Sequence, residues 1–77
     1  MTTYLAWDNE IETQSDATTY EADSAYEVAR RFTEEVLSEL PGENTIQVCV
    51  VEAAEADRQH PIVFIGERVL AYKVRQA

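Results

Sequence analysis

The sequence predicts an α+β fold in which a small antiparallel β-sheet carries one amphipathic helix on one face, in the order ββαβββ. Apolar residues between Ser24 and Leu40 recur at helical spacing. The segments before and after this stretch are short, rich in β-branched and aromatic residues, and separated by turn signals. A chain of 77 residues has the size of one domain, so we expect residues 1–77 to fold as a single domain.

The N-terminal part of the chain predicts two strands joined by an acidic loop. Thr2–Trp7 predicts the first strand, because Tyr4 and Ala6 would share one face and Thr3, Leu5 and Trp7 the other; we expect Leu5 and Trp7 to be directed toward the helix. Asp8–Asp16 is almost entirely polar and predicts a loop. Ala17–Ala22 contains Thr and Tyr, which favour strands, and therefore predicts a short second strand that leads into the helix.

The helix is the clearest element of the sequence. Ser24 is followed three residues later by Glu27, a spacing that predicts a capping box at the helix N-terminus. Pro41 and Gly42 then predict its end. Because an apolar stripe must be buried, we expect this helix to lie on the sheet. The stripe consists of Ala25, Val28, Ala29, Phe32, Val36 and Leu40.

The C-terminal part predicts three more strands. Thr45–Ala53 has apolar residues on both faces, which favours a central position in the sheet. Ile62–Ile65 and Arg68–Arg75 predict a hairpin with Gly66 and Glu67 in a tight turn, and one bent strand is the alternative.

One helix covers only one face of such a sheet. We therefore expect an apolar patch on the other face, with dimerisation or partner docking as an alternative to a monomer. The patch would include some of Tyr4, Cys49, Val51, Ile62 or Val63, Phe64 and Ala71.

The charge is strongly and unevenly negative. Fifteen acidic and six basic side chains give a net charge of −9, which argues against direct binding to nucleic acid. Residues 1–29 contain seven carboxylates and no Lys or Arg, so this N-terminal part of the chain would attract a basic partner; the alternative is that the carboxylates only keep the domain soluble. Arg30 and Arg31 precede Glu34 and Glu35 by four residues and predict ion pairs on the helix surface, or else contacts to a partner's carboxylate or phosphate.

No pattern for catalysis, a metal or a cofactor is present. Cys49 and His60 are the only residues of their types, and no nucleophile, base and orienting group can be assembled around them. The acidic run that begins at Asp8 has the spacing of the first three calcium-loop ligands, but Thr13 stands where that loop requires glycine. A lone cysteine, no apolar run of about 18 residues and no signal-like N-terminus lead us to expect a cytoplasmic protein without membrane contact.

The stretch Tyr20–Phe32, YEADSAYEVARRF, resembles the strand-to-helix signature "EADSAxExAxxF" of very small phage and mobile-element proteins. The resemblance covers Ala17–Val51. In size, acidity and lack of catalytic groups the chain also resembles anti-CRISPR proteins. That resemblance implies a non-enzymatic inhibitor in the bacterial host cytoplasm, which binds a basic, nucleic-acid-handling complex such as a CRISPR effector.

Nucleic-acid mimicry is the mechanism that fits such a protein. Surface carboxylates would lie where phosphates lie in the effector's basic channel and so block nucleic-acid binding. The alternative hypothesis is a small dimerising assembly module that uses its open sheet face. The residues predicted to contact the partner are Asp8, Glu10, Glu12, Asp16, Glu34 and Glu35.

Overall fold

The structure, a computed structural model, describes residues 1–42 and 44–77. Within these residues the predicted fold class is confirmed, because five strands form one antiparallel sheet and a single α-helix packs on one face. The order ββαβββ is also confirmed. The elements are β1 (Thr2–Asp8), β2 (Thr18–Ala22), α1 (Ala25–Leu37), β3 (Thr45–Glu52), β4 (Ile62–Arg68) and β5 (Tyr72–Gln76).

The strands lie in the order β2-β1-β3-β4-β5, and each neighbouring pair is antiparallel. β3 is the middle strand, as its apolar residues on both faces predict. Its register places Cys49 opposite Trp7 of β1 and Val63 of β4. The chain therefore leaves β2 at one edge of the sheet, crosses the sheet through α1, and returns in the centre.

The helix buries the middle of its predicted apolar stripe, but Ala25 and Val36 are only half-buried and Leu40 lies beyond its end. Leu37, which the prediction left out of the stripe, is completely buried. Val28, Ala29 and Phe32 are buried against side chains from all five strands. The N-terminus forms only half of the predicted capping box: Ser24 Oγ accepts a hydrogen bond from the Glu27 amide at 3.2 Å. The Glu27 carboxylate instead accepts from the amide of Asp23 at 3.3 Å.

The helix ends at Leu37, three residues before the predicted end. The backbone continues as a turn through Leu40, and Gly42 has a φ of 83°, a left-handed conformation that glycine adopts without steric cost.

The prediction that Leu5 and Trp7 face the helix is wrong. Tyr4 and Ala6 belong to the core under α1, whereas Trp7 is buried on the opposite face with Cys49. Both alternating sets of side chains in β1 are apolar, so alternation along the strand did not decide which set faces the helix.

The face opposite the helix is less open than predicted. Two short 3₁₀ turns, Gln14–Asp16 and Ala53–Glu55, are followed by Ala17 and Ala56, which pack on a second cluster there. The second cluster is formed by Trp7, Cys49 and Val51, which are buried, and Leu5 and Val63, which are half-buried. Tyr4 and Phe64, which were expected on this face, belong to the core on the helix side.

The prediction of a tight turn at Gly66 and Glu67 is also wrong. Both residues lie inside β4, and the chain turns after Arg68, so β5 begins only at Tyr72. Gly66 lies directly beneath α1, where a Cβ atom would collide with the side chain of Thr33. Glycine is required here because helix and strand approach closely. Close approach of another segment is one of the reasons why glycine occurs inside a strand.

Candidate functional surfaces

The strand order separates charges across the width of the sheet. Residues 1–24, which form β1 and β2, contain six carboxylates and no Lys or Arg. Residues 62–77, which form β4 and β5, contain three basic side chains and one acidic side chain. Because β2 and β5 are the two edges, one side of the sheet is acidic and the other is basic.

The acidic loop after β1 is held in shape by two of its own carboxylates. Asp8 is only 5% exposed, and its Oδ1 accepts a hydrogen bond from the Glu10 amide at 2.9 Å. Its backbone carbonyl accepts from the amides of Ile11 at 3.3 Å and Glu12 at 2.8 Å. The Glu12 carboxylate accepts a hydrogen bond from the Asp8 amide at 3.0 Å. Asp8 and Glu12 therefore maintain the loop conformation.

Glu10 and Ile11 are the side chains that this loop presents to solvent. Ile11 is 74% exposed, and the carboxylate of Glu10 forms no hydrogen bond or ion pair with any residue that the structure describes. Both line a pocket of about 150 Å³, which we call the loop pocket. This volume is below the usual range for small-molecule sites of about 300–1,000 Å³, so it suits a single partner side chain better than a ligand. The loop pocket is lined by Asp8, Glu10, Ile11, Leu40, Thr45 and Ile46.

Asp16, the last predicted contact residue of the loop, is exposed at the end of the first 3₁₀ turn. Its carboxylate accepts hydrogen bonds from the amide of Thr13 at 3.2 Å and from the Thr13 hydroxyl at 3.1 Å. The structure thus places the four predicted loop carboxylates in one segment, with Glu10 and Asp16 exposed.

The two predicted helix residues have intramolecular partners. Glu34 forms the predicted ion pair with Arg30 at 2.9 Å, with both side chains about 40% exposed. Glu35 accepts a hydrogen bond from the hydroxyl of Tyr20 at 2.6 Å and does not pair with Arg31. Arg31 instead lies over the Tyr20 ring at 5.1 Å and donates to a backbone carbonyl of β2 at 3.1 Å. Among the described residues, no hydrogen bond or ion pair joins Glu34 or Glu35 to the loop.

Among the described residues, the pKa values of two side chains, Tyr20 and Cys49, are clearly shifted. Burial, together with the hydrogen bond to Glu35 and the charge of Glu35, raises the pKa of Tyr20, and Arg31 opposes this shift. Burial, with a smaller effect from the charge of Asp8, raises the pKa of the Cys49 thiol above its usual value near 9. A buried, protonated thiol is a poor nucleophile at neutral pH.

The described residues lack two other kinds of feature, a metal site and a membrane-spanning helix. They contain no cluster of three or more His, Cys, Asp or Glu side chains placed to hold a metal ion. In the same residues, no helix combines the length and apolar character needed to cross a membrane.

A second surface, which the sequence analysis missed, lies beside β5. A groove of about 340 Å³, which we call the edge groove, opens between the helix N-terminus and this strand. Tyr26 borders it, remains 50% exposed, and packs edge-on against Phe64 at 6.4 Å. The feature of the sequence that could have indicated this groove is Tyr26, an aromatic residue outside the apolar stripe of the helix. The edge groove is lined by Tyr26, Glu67, Tyr72, Lys73, Val74 and Arg75.

No protein-family model, no curated protein and no solved structure matches this chain. The resemblance to small acidic phage proteins therefore stays a prediction.

Proposed function

We propose that this protein is a non-enzymatic acidic inhibitor of the phage-encoded anti-CRISPR type. It docks on the basic channel of a CRISPR effector complex in the bacterial cytoplasm and blocks nucleic-acid binding there. The observation that supports the proposal best is the separation of charge, since residues 1–24 carry six carboxylates and no basic residue along one side of the sheet. A predominantly acidic surface of this kind, with Arg31 of α1 as a basic group at its β2 edge, accelerates association with an oppositely charged channel and orients the complex.

The loop pocket supplies a contact point with more specificity than charge alone. An exposed carboxylate of Glu10 beside the exposed apolar side chain of Ile11 fits an Arg or Lys of the partner. The aliphatic stem of that residue would pack on Ile11 while its charged group meets Glu10. In this arrangement Asp16 contributes a further surface carboxylate, and Asp8 and Glu12 act as positioning residues through their hydrogen bonds within the loop.

The alternative of a dimerising module has less support. It depends on an open apolar sheet face, and the three buried residues of that face are each less than 10% exposed because the 3₁₀ segments pack over it. Recovery of only the protein itself in the experiment below would favour this alternative.

The first experiment is affinity capture from a bacterial lysate with the tagged protein, washed at low and at high salt, with mass spectrometry of the bound proteins. The dissociation constant for the purified partner is then measured at about 50 and about 200 mM salt. We expect at least a roughly tenfold loss of affinity across this range, because exposed charge pairs are screened by salt. A complex that resists salt would contradict the charge-based mechanism.

Matched charge reversals test the location of the contact. Glu10→Lys should weaken binding by about tenfold, which corresponds to about 1.4 kcal/mol. Asp23→Lys makes the same change in net charge at the opposite end of β1 and β2, six strand positions or about 20 Å away, and should alter binding by less than about twofold. Equal effects of the two variants would show that the loop pocket is not the contact. Circular dichroism of both variants confirms that they remain folded.

A further inference from the structure

The free edge of β5 has backbone groups that point away from the sheet. Ala77 donates a hydrogen bond to the carbonyl of Val63 at 2.8 Å. In an antiparallel pair, inward and outward backbone groups alternate along each strand. Arg75 and Lys73 therefore pair with β4, whereas the amides and carbonyls of the residues between them face outward. Within the described part of the chain, no strand lies beyond β5.

The opposite edge of the sheet is protected. There the guanidinium of Arg31 donates to the backbone carbonyl of Glu21 at 3.1 Å, and its charge lies over the ring of Tyr20 at 5.1 Å. A long side chain across an edge strand hinders pairing with another strand. β5 is therefore the edge that can accept a further strand.

The side chains around β5 determine what such a strand would carry. Tyr72 packs against the core on the helix side and, together with Tyr26, borders the edge groove. Lys73 and Arg75 alternate with Val74, which belongs to that core, so they project to the other face. A strand added at β5 would thus place every second side chain beside two tyrosines and the others beside two cations.

The cations are available to a partner. Among the described residues, Arg75 has one ion pair, a long one of 3.5 Å to Glu67, and Lys73 forms none. A second copy of this chain fits poorly, because antiparallel pairing of two β5 edges would bring Lys73 of each copy close to Arg75 of the other, and like charges at opposed positions are destabilising.

We infer that the β5 edge binds an extended acidic peptide segment as a sixth strand, with carboxylates at alternate positions against Lys73 and Arg75 and apolar side chains between them in the edge groove. Backbone hydrogen bonds would supply part of the affinity, and the alternating side chains the specificity. This site lies on the opposite edge from the acidic side and does not depend on the function proposed above.

The test uses the ¹⁵N-labelled full chain and a blocked octapeptide of alternating Glu and Val. We expect chemical-shift changes centred on the amides of Tyr72, Val74 and Gln76, and a slowing of their hydrogen exchange by about tenfold or more when the peptide is bound. A peptide of alternating Lys and Val, and the acidic peptide with N-methylated backbone amides, should each bind at least about tenfold more weakly.

Two charge variants complete the test. Lys73→Glu should weaken binding of the acidic peptide by about tenfold, whereas Arg58→Glu, a matched reversal at a side chain that is 77% exposed and outside β5, should change it by less than about twofold. Absence of binding at about 1 mM peptide, equal binding of the N-methylated peptide, or shift changes centred on the loop pocket would overturn the inference. Slow exchange of the outward β5 amides without peptide, in a sample that forms dimers, would assign the edge to a second copy and also overturn it.

Discussion

α1 approaches the sheet so closely above Gly66 that one additional methyl group is expected to destabilise the protein. A Cβ atom at this position would overlap both Cγ2 and Oγ1 of Thr33. Thr33 is completely buried, and its hydroxyl donates to the carbonyl of Ala29 at 2.7 Å. Rotation of the Thr33 side chain would relieve the overlap only by breaking that hydrogen bond inside the core.

The expected magnitude follows from two opposing effects of Gly66→Ala. Overpacking of a dense core costs about 1–3 kcal/mol, whereas replacing a strand glycine by alanine gains about 0.5–1 kcal/mol from the lower conformational entropy of the unfolded chain. We therefore expect the free energy of unfolding to fall by about 1–2 kcal/mol. For a domain of this size, each kcal/mol corresponds to a decrease in Tm of about 4–8 °C.

Urea unfolding followed by circular dichroism measures this change, and a double-mutant cycle identifies its cause. Thr33→Ala removes the two atoms in collision, so Gly66→Ala should be neutral or stabilising in that background, with a coupling energy of at least about 1 kcal/mol. Gly42→Ala is the control, because it introduces strain at a φ of 83° with no neighbour within 4 Å and should not couple to Thr33. A Gly66→Ala variant as stable as the wild type, or one whose penalty is unchanged without Thr33, would refute the close approach.

Three further predictions concern buried groups. Tyr20 and Cys49 keep their protons to higher pH in the folded than in the unfolded chain, so stability should be complete below about pH 9 and decline above it by at most about 1.4 kcal/mol per pH unit for each group. Urea titrations from neutral to alkaline pH would show that the free energy of unfolding declines less steeply with pH in Tyr20→Phe than in the wild type. An equal slope in the two proteins would show that Tyr20 does not contribute to the decline. The thiol of Cys49 should react with a soluble thiol reagent at least about a hundredfold more slowly in the native than in the urea-unfolded protein, and rapid native labelling would mean that the second face opens. Asp8→Ala should lower the free energy of unfolding by about 1–2 kcal/mol, while Glu10→Ala should stay within about 0.5 kcal/mol; comparable losses would contradict the distinct roles of the two carboxylates.

Several features were determined by the sequence alone because they depend on neighbours a few residues apart. The apolar stripe that contains Val28 and Phe32 predicts both the helix and its buried side, and Ser24 predicts the helix start. Apolar residues on both faces of Thr45–Ala53 predict the central strand, which the structure shows as β3. The fold class follows from these local patterns.

Tertiary structure decided which individual side chains are buried, which face of the sheet they occupy and what they contact. Alternation in β1 is the same whichever face Trp7 occupies, and the choice depends on packing from segments distant in sequence. Gly66 has the local signature of a turn, but the approach of α1 gives it a different role. An acidic run likewise gives no sign that Asp8 is buried and hydrogen-bonded while Glu10 is exposed.

The two surfaces differ in the same way. The excess of carboxylates near the N-terminus is visible in the sequence, but its separation from the basic C-terminal strands exists only because the strand order places β2 and β5 at opposite edges. The edge groove joins Tyr26 of the helix to Tyr72 of β5, two residues that no local pattern connects. Local periodicity determines which elements form, whereas long-range pairing and packing determine which side chains meet.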